Sequence, residues 1–179
     1  MGGVLLRSLL YCHNKINDFI GPEMKPGPGF FHHENFSTMR TEGLEVEMQY
    51  DFGRGTNLAA NYTYITYKKR ILWMVPRHLG NIIANIRLSR YLNVYAACPF
   101  EDGWRRQRGD NRKDMSGYAI VNATLIAKKF LKAYEGLEMR GSVYNLFDKD
   151  YTSPVGVSQL PDDTPMPGRS FMVEVKYKF

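Results

Sequence analysis

No uninterrupted apolar run in this sequence approaches the roughly 18 to 20 residues that carry a helix across a bilayer, and mean hydropathy is -0.39. A helical membrane protein is therefore excluded. A protein that crosses with strands is not, because such strands are apolar only at alternate positions. Cysteine is scarce, with Cys12 and Cys98 alone. They fall in different expected strands, so the reading is two unpaired thiols on apolar strand faces rather than a disulfide framework. The residues that carry chemistry also fail to assemble. There is no Ser/His/Asp or Cys/His arrangement, no paired carboxylate and no phosphate-cradling glycine loop, so neither an enzyme nor a cofactor is expected. Met1 to Leu10 has an apolar flavour but lacks a basic n-region and a small-residue cleavage site, and it runs straight into Tyr11-Cys12-His13. It reads as a strand, and an exported chain without a leader reads as the tail of a longer one. The net charge is +6 and the pI about 9.3, yet the basic residues are scattered along the sequence, so nucleic acid is not an expected partner.

What the sequence does have is alternation. Phe171, Val173, Val175, Tyr177 and Phe179 share one side of a final strand, with Glu174, Lys176 and Lys178 on the other. From Gly43 the same pattern sets Leu44, Val46, Met48, Tyr50 and Phe52 against Glu45, Glu47, Gln49 and Asp51. Three carboxylates along one side have no place in an apolar core, so that side is wet. Gly53-Arg54-Gly55-Thr56 is a tight turn, and the chain returns through Leu58, Ala60, Tyr62 and Tyr64. Further alternating runs lie at 81–89, 92–100, 119–128 and 137–144. The first segment, 4–20, is the least regular. Gly21 to Gly29, rich in proline and glycine, is expected to hold no regular structure. The total is about eight strands in up-and-down order, an all-β antiparallel architecture.

Two regularities bear on the medium. The connections alternate long and short, so the long loops gather at one end of the sheet and the short turns at the other, as in outer-membrane barrels. Aromatics collect at strand ends: Tyr50, Phe52, Tyr91, Tyr177 and Phe179 near the short turns, and Tyr64, Phe100, Trp104, Tyr118, Phe147 and Phe171 near the long loops. Two belts with Ala, Val, Leu and Ile between them match the two interfaces of a bilayer. The reading is a transmembrane β-barrel with its charges toward an aqueous bore. A soluble lipocalin-like barrel with the apolar series inward is the alternative.

Thr41-Glu42-Gly43-Leu44-Glu45-Val46-Glu47, Asn61-Tyr62-Thr63-Tyr64, Val75-Pro76-Arg77-His78, Val143 to Tyr151 and Pro167-Gly168-Arg169-Ser170-Phe171, with terminal Phe179, resemble in order the last part of the barrel of TonB-dependent outer-membrane receptors. Residues 36–179 carry the resemblance most clearly, and it is extended to 1–179. It implies that Asn145 to Asp148 end the penultimate strand and that Pro167 to Arg169 lead into a closing strand. Phe171, Tyr177 and Phe179 would form the signal read by the outer-membrane assembly machinery. It also implies a Gram-negative outer-membrane location, contact with lipid and lipopolysaccharide, and a parent that takes up ferric siderophores, corrinoids or similar nutrients with TonB-supplied energy. Full-length members carry a signal peptide, a TonB-contacting segment, a plug and a barrel of about twenty-two strands. This chain is expected to be a C-terminal part of a larger barrel without the plug, reaching TonB only through it. A self-contained small barrel, closed by its first and last strands and structural or adhesive in role, is the other reading.

The densest charge cluster, Trp104-Arg105-Arg106-Gln107-Arg108-Gly109-Asp110-Asn111-Arg112-Lys113-Asp114, lies in a long loop. Trp104, Arg105, Arg106, Arg108 and Arg112 are candidates to contact an anionic metal chelate or lipopolysaccharide phosphates. The plainer reading is a solvated loop with internal ion pairs. Arg108-Gly109-Asp110 is ordinary turn chemistry. His32-His33-Glu34 is not expected to hold a metal, since adjacent side chains of an extended chain point opposite ways. His78 reads as a loop residue, and Glu138 and Arg140 as members of cross-strand salt bridges.

Overall fold

The computed structural model describes residues 3–24, 31–35, 38–68, 75–106, 110–155 and 162–179. Trp73, Arg108, Gly109, Pro161 and residues 25–30 lie outside the described residues. Among the described residues thirteen strands run in order: β1 (Gly3–Asn17), β2 (Ile20–Met24), β3 (Phe31–Asn35), β4 (Thr38–Gly53), β5 (Thr56–Lys68), β6 (His78–Arg87), β7 (Leu92–Glu101), β8 (Tyr118–Ala119), β9 (Asn122–Lys128), β10 (Leu137–Tyr144), β11 (Thr152–Ser153), β12 (Thr164–Pro165) and β13 (Ser170–Tyr177). Eight of them form one antiparallel meander, β1-β4-β5-β6-β7-β9-β10-β13, with β8 attached to β7. The expected up-and-down order is what the chain adopts, and connections alternate long and short throughout.

β1 and β13 are the two edges of this sheet and do not pair with each other. The barrel is not closed, so the reading in which first and last strands complete a small barrel is not what the structure shows.

Residues directly opposite one another in an antiparallel pair share a face, so the registers give each face as rows. One row runs Tyr50, Leu58, Ala84, Ala96, Ala123, Val143, Phe171. It is apolar in every strand. It starts beside a short turn at Tyr50 and ends beside a long loop at Phe171, which is the stagger that tilted strands of a barrel wall require. The adjacent row on the opposite face, Asp51, Asn57, Asn85, Tyr95, Thr124, Ser142, Met172, is polar until its last member.

Burial is inverted relative to a soluble domain. Among the described residues Met39 is the only buried hydrophobic side chain, while Leu125 and Val173 on the apolar face are 48% and 73% exposed. The polar face is hydrogen-bonded within itself, with Thr124 and Ser142 hydroxyls 2.9 Å apart and Asn93 Nδ2 donating to Asn85 Oδ1 at 2.5 Å. Among the described residues no dry centre forms around the Ala/Val/Leu series, which a lipocalin-like barrel would need.

Several local features depart from the sequence reading. In β1 a bulge at Arg7 puts Leu6 opposite Met48 but Ser8 opposite Glu47. The extra residue gives the N-terminal part of the strand the opposite facing from the part beyond Arg7. Arg7 reaches the polar face and donates to Gln49 Oε1 at 3.0 Å. Cys12 pairs in register with Gly43 and so lies on the wet face, whereas Cys98, opposite Ile82, lies on the apolar one; both are free thiols. Gly21 to Met24 are strand, not loop, because β2 and β3 form a separate two-stranded ribbon. Both strands of a ribbon are edges, and an edge tolerates a proline whose missing N–H faces outward. His78 opens β6 opposite Tyr64, and its Nδ1 is 2.6 Å from the Tyr62 hydroxyl. The salt bridge from Glu138 to Arg140 runs along one strand, Nε to Oε1 at 2.6 Å, and the cross-strand partner of Glu138 is Lys128 at 3.1 Å. Residues two apart share a face, so both cations converge on one carboxylate.

Candidate functional site

The long-loop end holds the densest chemistry. The loop after β7 continues as an irregular hairpin, in which Trp104 and Met115 exchange backbone hydrogen bonds of 3.1 Å in both directions. Trp104 Nε1 donates to Glu101 Oε1 at 2.8 Å. In the loop before β13, the β11–β12 pair forms a short ladder.

Two arginines and two aspartates join these loops. Both terminal nitrogens of Arg106 donate to the carboxylate of Asp163, through Nη1 to Oδ1 at 3.0 Å and through Nη2 to Oδ2. Arg112 grips Asp110 with Nε and Nη2 at 3.0 and 2.8 Å, and also donates Nη2 to the Val155 carbonyl at 2.8 Å. The pairs are cross-linked, since Arg106 Nη1 lies 3.6 Å from Asp110 Oδ2 and Arg112 Nη1 lies 3.6 Å from Asp163 Oδ1. The side chains of Arg106 and Asp110 are 8% and 4% exposed. A two-armed guanidinium–carboxylate contact out of water is among the stronger polar interactions in a loop. Hydrogen bonds from Arg106 and Arg112 hold the carboxyls of Asp163 and Asp110, respectively, below the ordinary aspartate value. Beside the cluster, the Tyr118 and Tyr151 rings pack with centroids 4.6 Å apart. Between the two loops lies an open cavity of about 540 Å³, lined in part by Lys113, Tyr118, Lys149, Tyr151 and Met166.

Of the residues singled out from the sequence, Arg106 and Arg112 are thus brought into one cluster and Trp104 bonds Glu101 instead, all three with their polar groups committed to protein partners. Arg105 is exposed. Arg108 lies outside the described residues. Sequence reasoning missed Asp163, Tyr118 and Tyr151; Asp110 was in view but not as an anchor. Asp110 two residues from Arg112 is a local signal, while Asp163, 57 residues from Arg106, offers none. Lys113 and Lys149 on the cavity wall are faced by Asp114, Asp150 and Asp162, so the lining carries both signs of charge.

A second constellation fastens β13. Asn145, 3% exposed and at φ 50°, receives a hydrogen bond from Lys149 N at 2.8 Å. It donates Nδ2 to the carbonyls of Lys149 at 2.9 Å and Pro167 at 3.4 Å. Its own N–H reaches Asn122 Oδ1 at 2.9 Å. Asparagine tolerates the left-handed region better than most side chains. Asp148 accepts from Arg169 N at 2.7 Å, one residue before β13. Asn145 to Asp148 and Pro167 to Arg169 therefore form one clamp between β9, β10 and β13. Beyond it Phe171, Tyr177 and Phe179 are exposed, with Tyr177 edge-on to Phe179 at 4.9 Å.

The family described as TonB dependent receptor-like, beta-barrel, matches residues 8–146. No curated protein matches the chain by sequence. Among solved structures, FpvA of P. aeruginosa, bound to heterologous pyoverdines, is 16% identical with a TM-score of 0.77, over 96% of this chain and 24% of that one. The ferric-catecholate import receptor Fiu from K12 E. coli, closed form, is 18% identical with a TM-score of 0.74, over 96% and 25%. The copper transporter OprC is 18% identical with a TM-score of 0.74, over 99% and 30%. The chain spans about a quarter of the length of these structures, which share its fold. The family match over most of the chain, the open eight-stranded meander and the inverted burial lead to one conclusion: the chain belongs to the TonB-dependent receptor β-barrel family, a family of the Gram-negative outer membrane.

Proposed function

We propose that this chain forms part of the wall of an outer-membrane receptor barrel in a Gram-negative cell. Its apolar face meets lipid and its polar face lines the bore, where a plug would sit and engage TonB. The observation that carries this reading is the apolar row from Tyr50 to Phe171, continuous across the sheet and with no buried member, beside a polar row that is hydrogen-bonded. The parent receptor takes up a ferric siderophore, a corrinoid or another scarce metal chelate with TonB-supplied energy. The joined loops supply one side of the capture site. Arg105, Lys113 and Lys149 attract an anionic chelate or lipopolysaccharide phosphate there, with Trp104 and Arg108 as further candidate contacts, and Arg106 and Arg112 hold the loops in shape. Phe171, Tyr177 and Phe179 are recognised by the assembly machinery.

The test is membrane fractionation of the full chain produced with an export leader. Sedimentation with the outer membrane, resistance to alkaline carbonate and a requirement for detergent are expected. A monodisperse, detergent-free monomer would contradict the reading.

A further inference from the structure

The basic residues look scattered in sequence, but the meander gathers a group of them at the short-turn end. Arg54 sits in the first turn, Arg87 and Arg90 flank the second, Lys128, Lys129 and Lys132 bound the third, and Lys176 and Lys178 end the final strand, all exposed. Against these eight cations stand three carboxylates, Asp51, Glu135 and Glu138. Asp51 accepts from Gly53 N at 2.7 Å, and Glu138 is taken up by Lys128 and Arg140.

Within this end the turn between β6 and β7 folds over a hollow of about 280 Å³, on which Arg87, Ser89, Arg90 and Lys128 converge. Arg87 is braced, its stem beside Gly55 and its Nε donating to Ser89 O at 3.4 Å. Neither Arg87 nor Arg90 has a carboxylate partner among the described residues, in contrast to Arg106, Arg112, Arg140 and Arg169. Arg90 instead stacks on the Tyr91 ring at 4.5 Å. The Ser89 hydroxyl oxygen accepts from both Tyr91 N and Leu92 N at 3.1 Å. With its lone pairs occupied, that hydroxyl has only its proton left to offer, and it needs an acceptor.

Two unpaired guanidiniums, a shared ammonium and a hydroxyl restricted to donating make an anion seat, and forked guanidiniums match tetrahedral oxyanions best. We propose that this hollow binds a phosphate group, carried either by a free phosphate or by a phospholipid headgroup. The proposal rests on the wall reading above only for which side of the membrane the short turns face. Arg87, Asn93 and Lys128 share the polar, bore-side face, so a headgroup would enter around the turn and not from the apolar face.

The experiment uses the full chain in a zwitterionic detergent at low salt, titrated in one arm with inorganic phosphate and in the other with short-chain phosphatidylglycerol. The arginine Nε–H resonances are followed by NMR. Saturable shifts of Arg87 and Arg90 are expected, with R87Q and R90Q each weakening binding about tenfold, as loss of a charge-assisted contact implies, and S89A weakening it less. R40Q, at an exposed position of β4 at the long-loop end, serves as the control and leaves binding unchanged. Saturation with phosphate alone assigns a free oxyanion, and saturation with the lipid alone assigns a headgroup; either supports the seat. Absence of saturation in both arms, or binding indifferent to R87Q and R90Q, overturns it. A chain that fractionates with the outer membrane yet binds no phosphate sinks the seat and spares the wall reading, and the reverse pattern separates them the other way.

Discussion

Arg106 places both terminal nitrogens of its guanidinium on the carboxylate of Asp163, tying the loop after β7 to the loop before β13. Substituting Asp163→Asn leaves Arg106 buried with a weakened partner, and the two loops separate at a cost of roughly 2 to 3 kcal/mol, in the range of a hydrogen bond to a charged group. Faster amide exchange at Val155, whose N–H also reaches Asp163 Oδ1 at 3.3 Å, reports the loss. Unchanged exchange there would show that the pair does not hold the loops.

The same cluster sets a pH dependence. The carboxyls of Asp163 and Asp110 titrate below the ordinary aspartate value of 3.8 in the folded protein, chiefly because Arg106 and Arg112 hydrogen-bond them. A depressed folded pKa contributes stability that is fully present above the unfolded value and is lost as pH falls through the folded one. Loop protection factors, which take out the intrinsic pH dependence of amide exchange, are therefore expected to be flat from neutral pH down to about 4 and to fall only below that. Loop opening between pH 7 and 5 would point to other groups.

Asn145 combines a left-handed backbone with a side chain that binds Lys149 and Pro167. Asn145→Gly relieves the backbone and removes the side-chain bonds; Asn145→Ala loses both. The alanine variant is expected to be less stable than the glycine variant by about 1 kcal/mol, the cost of a left-handed residue with a Cβ. Both should unfold earlier in denaturant titrations than the wild type. Equal stability of all three would remove the clamp from the account.

Gly80 lies between Tyr62 and Phe100 in register. A Cβ there would overlap the Asn61 carbonyl and meet Phe100 Cζ at 2.6 Å. Gly80→Ala is expected to cost about 1 to 3 kcal/mol by overpacking. Phe100→Leu in the same chain recovers only part of this, because the carbonyl stays in place. Full recovery in thermal unfolding would mean that the ring alone sets the constraint.

The long strands are legible wherever alternation is unbroken, and the Asn145–Asp148 and Pro167–Arg169 segments can be placed because each is a local motif. β1 is not clear for a physical reason. The bulge at Arg7 shifts the period by one residue, so Leu5, Leu6, Leu9 and Leu10 read as a smear, and Cys12 reads onto the wrong face. Pro22 in β2 misleads because proline signals a loop unless the strand has a free edge. The loop cluster is only half visible. Its cations sit in one run, but Asp163 arrives from a loop with no periodicity to predict its position. Glu138 and Arg140 are legible as an ion pair, while its course along one strand needs coordinates.

On the wall reading, the series containing Ala123 and Leu125 faces lipid and the series containing Thr124 and Ser142 faces water. Nitroxide labels placed one at a time at 121–127 and 139–143 test this central claim, with Cys12 and Cys98 replaced and the chain reconstituted in bilayers. Collision with oxygen should peak at Ala123, Leu125, Met139 and Gly141, and collision with a water-soluble nickel chelate at Thr124, Ile126, Arg140 and Ser142, in strict alternation. Alternation with the phases exchanged, or water access on both faces, would contradict the account.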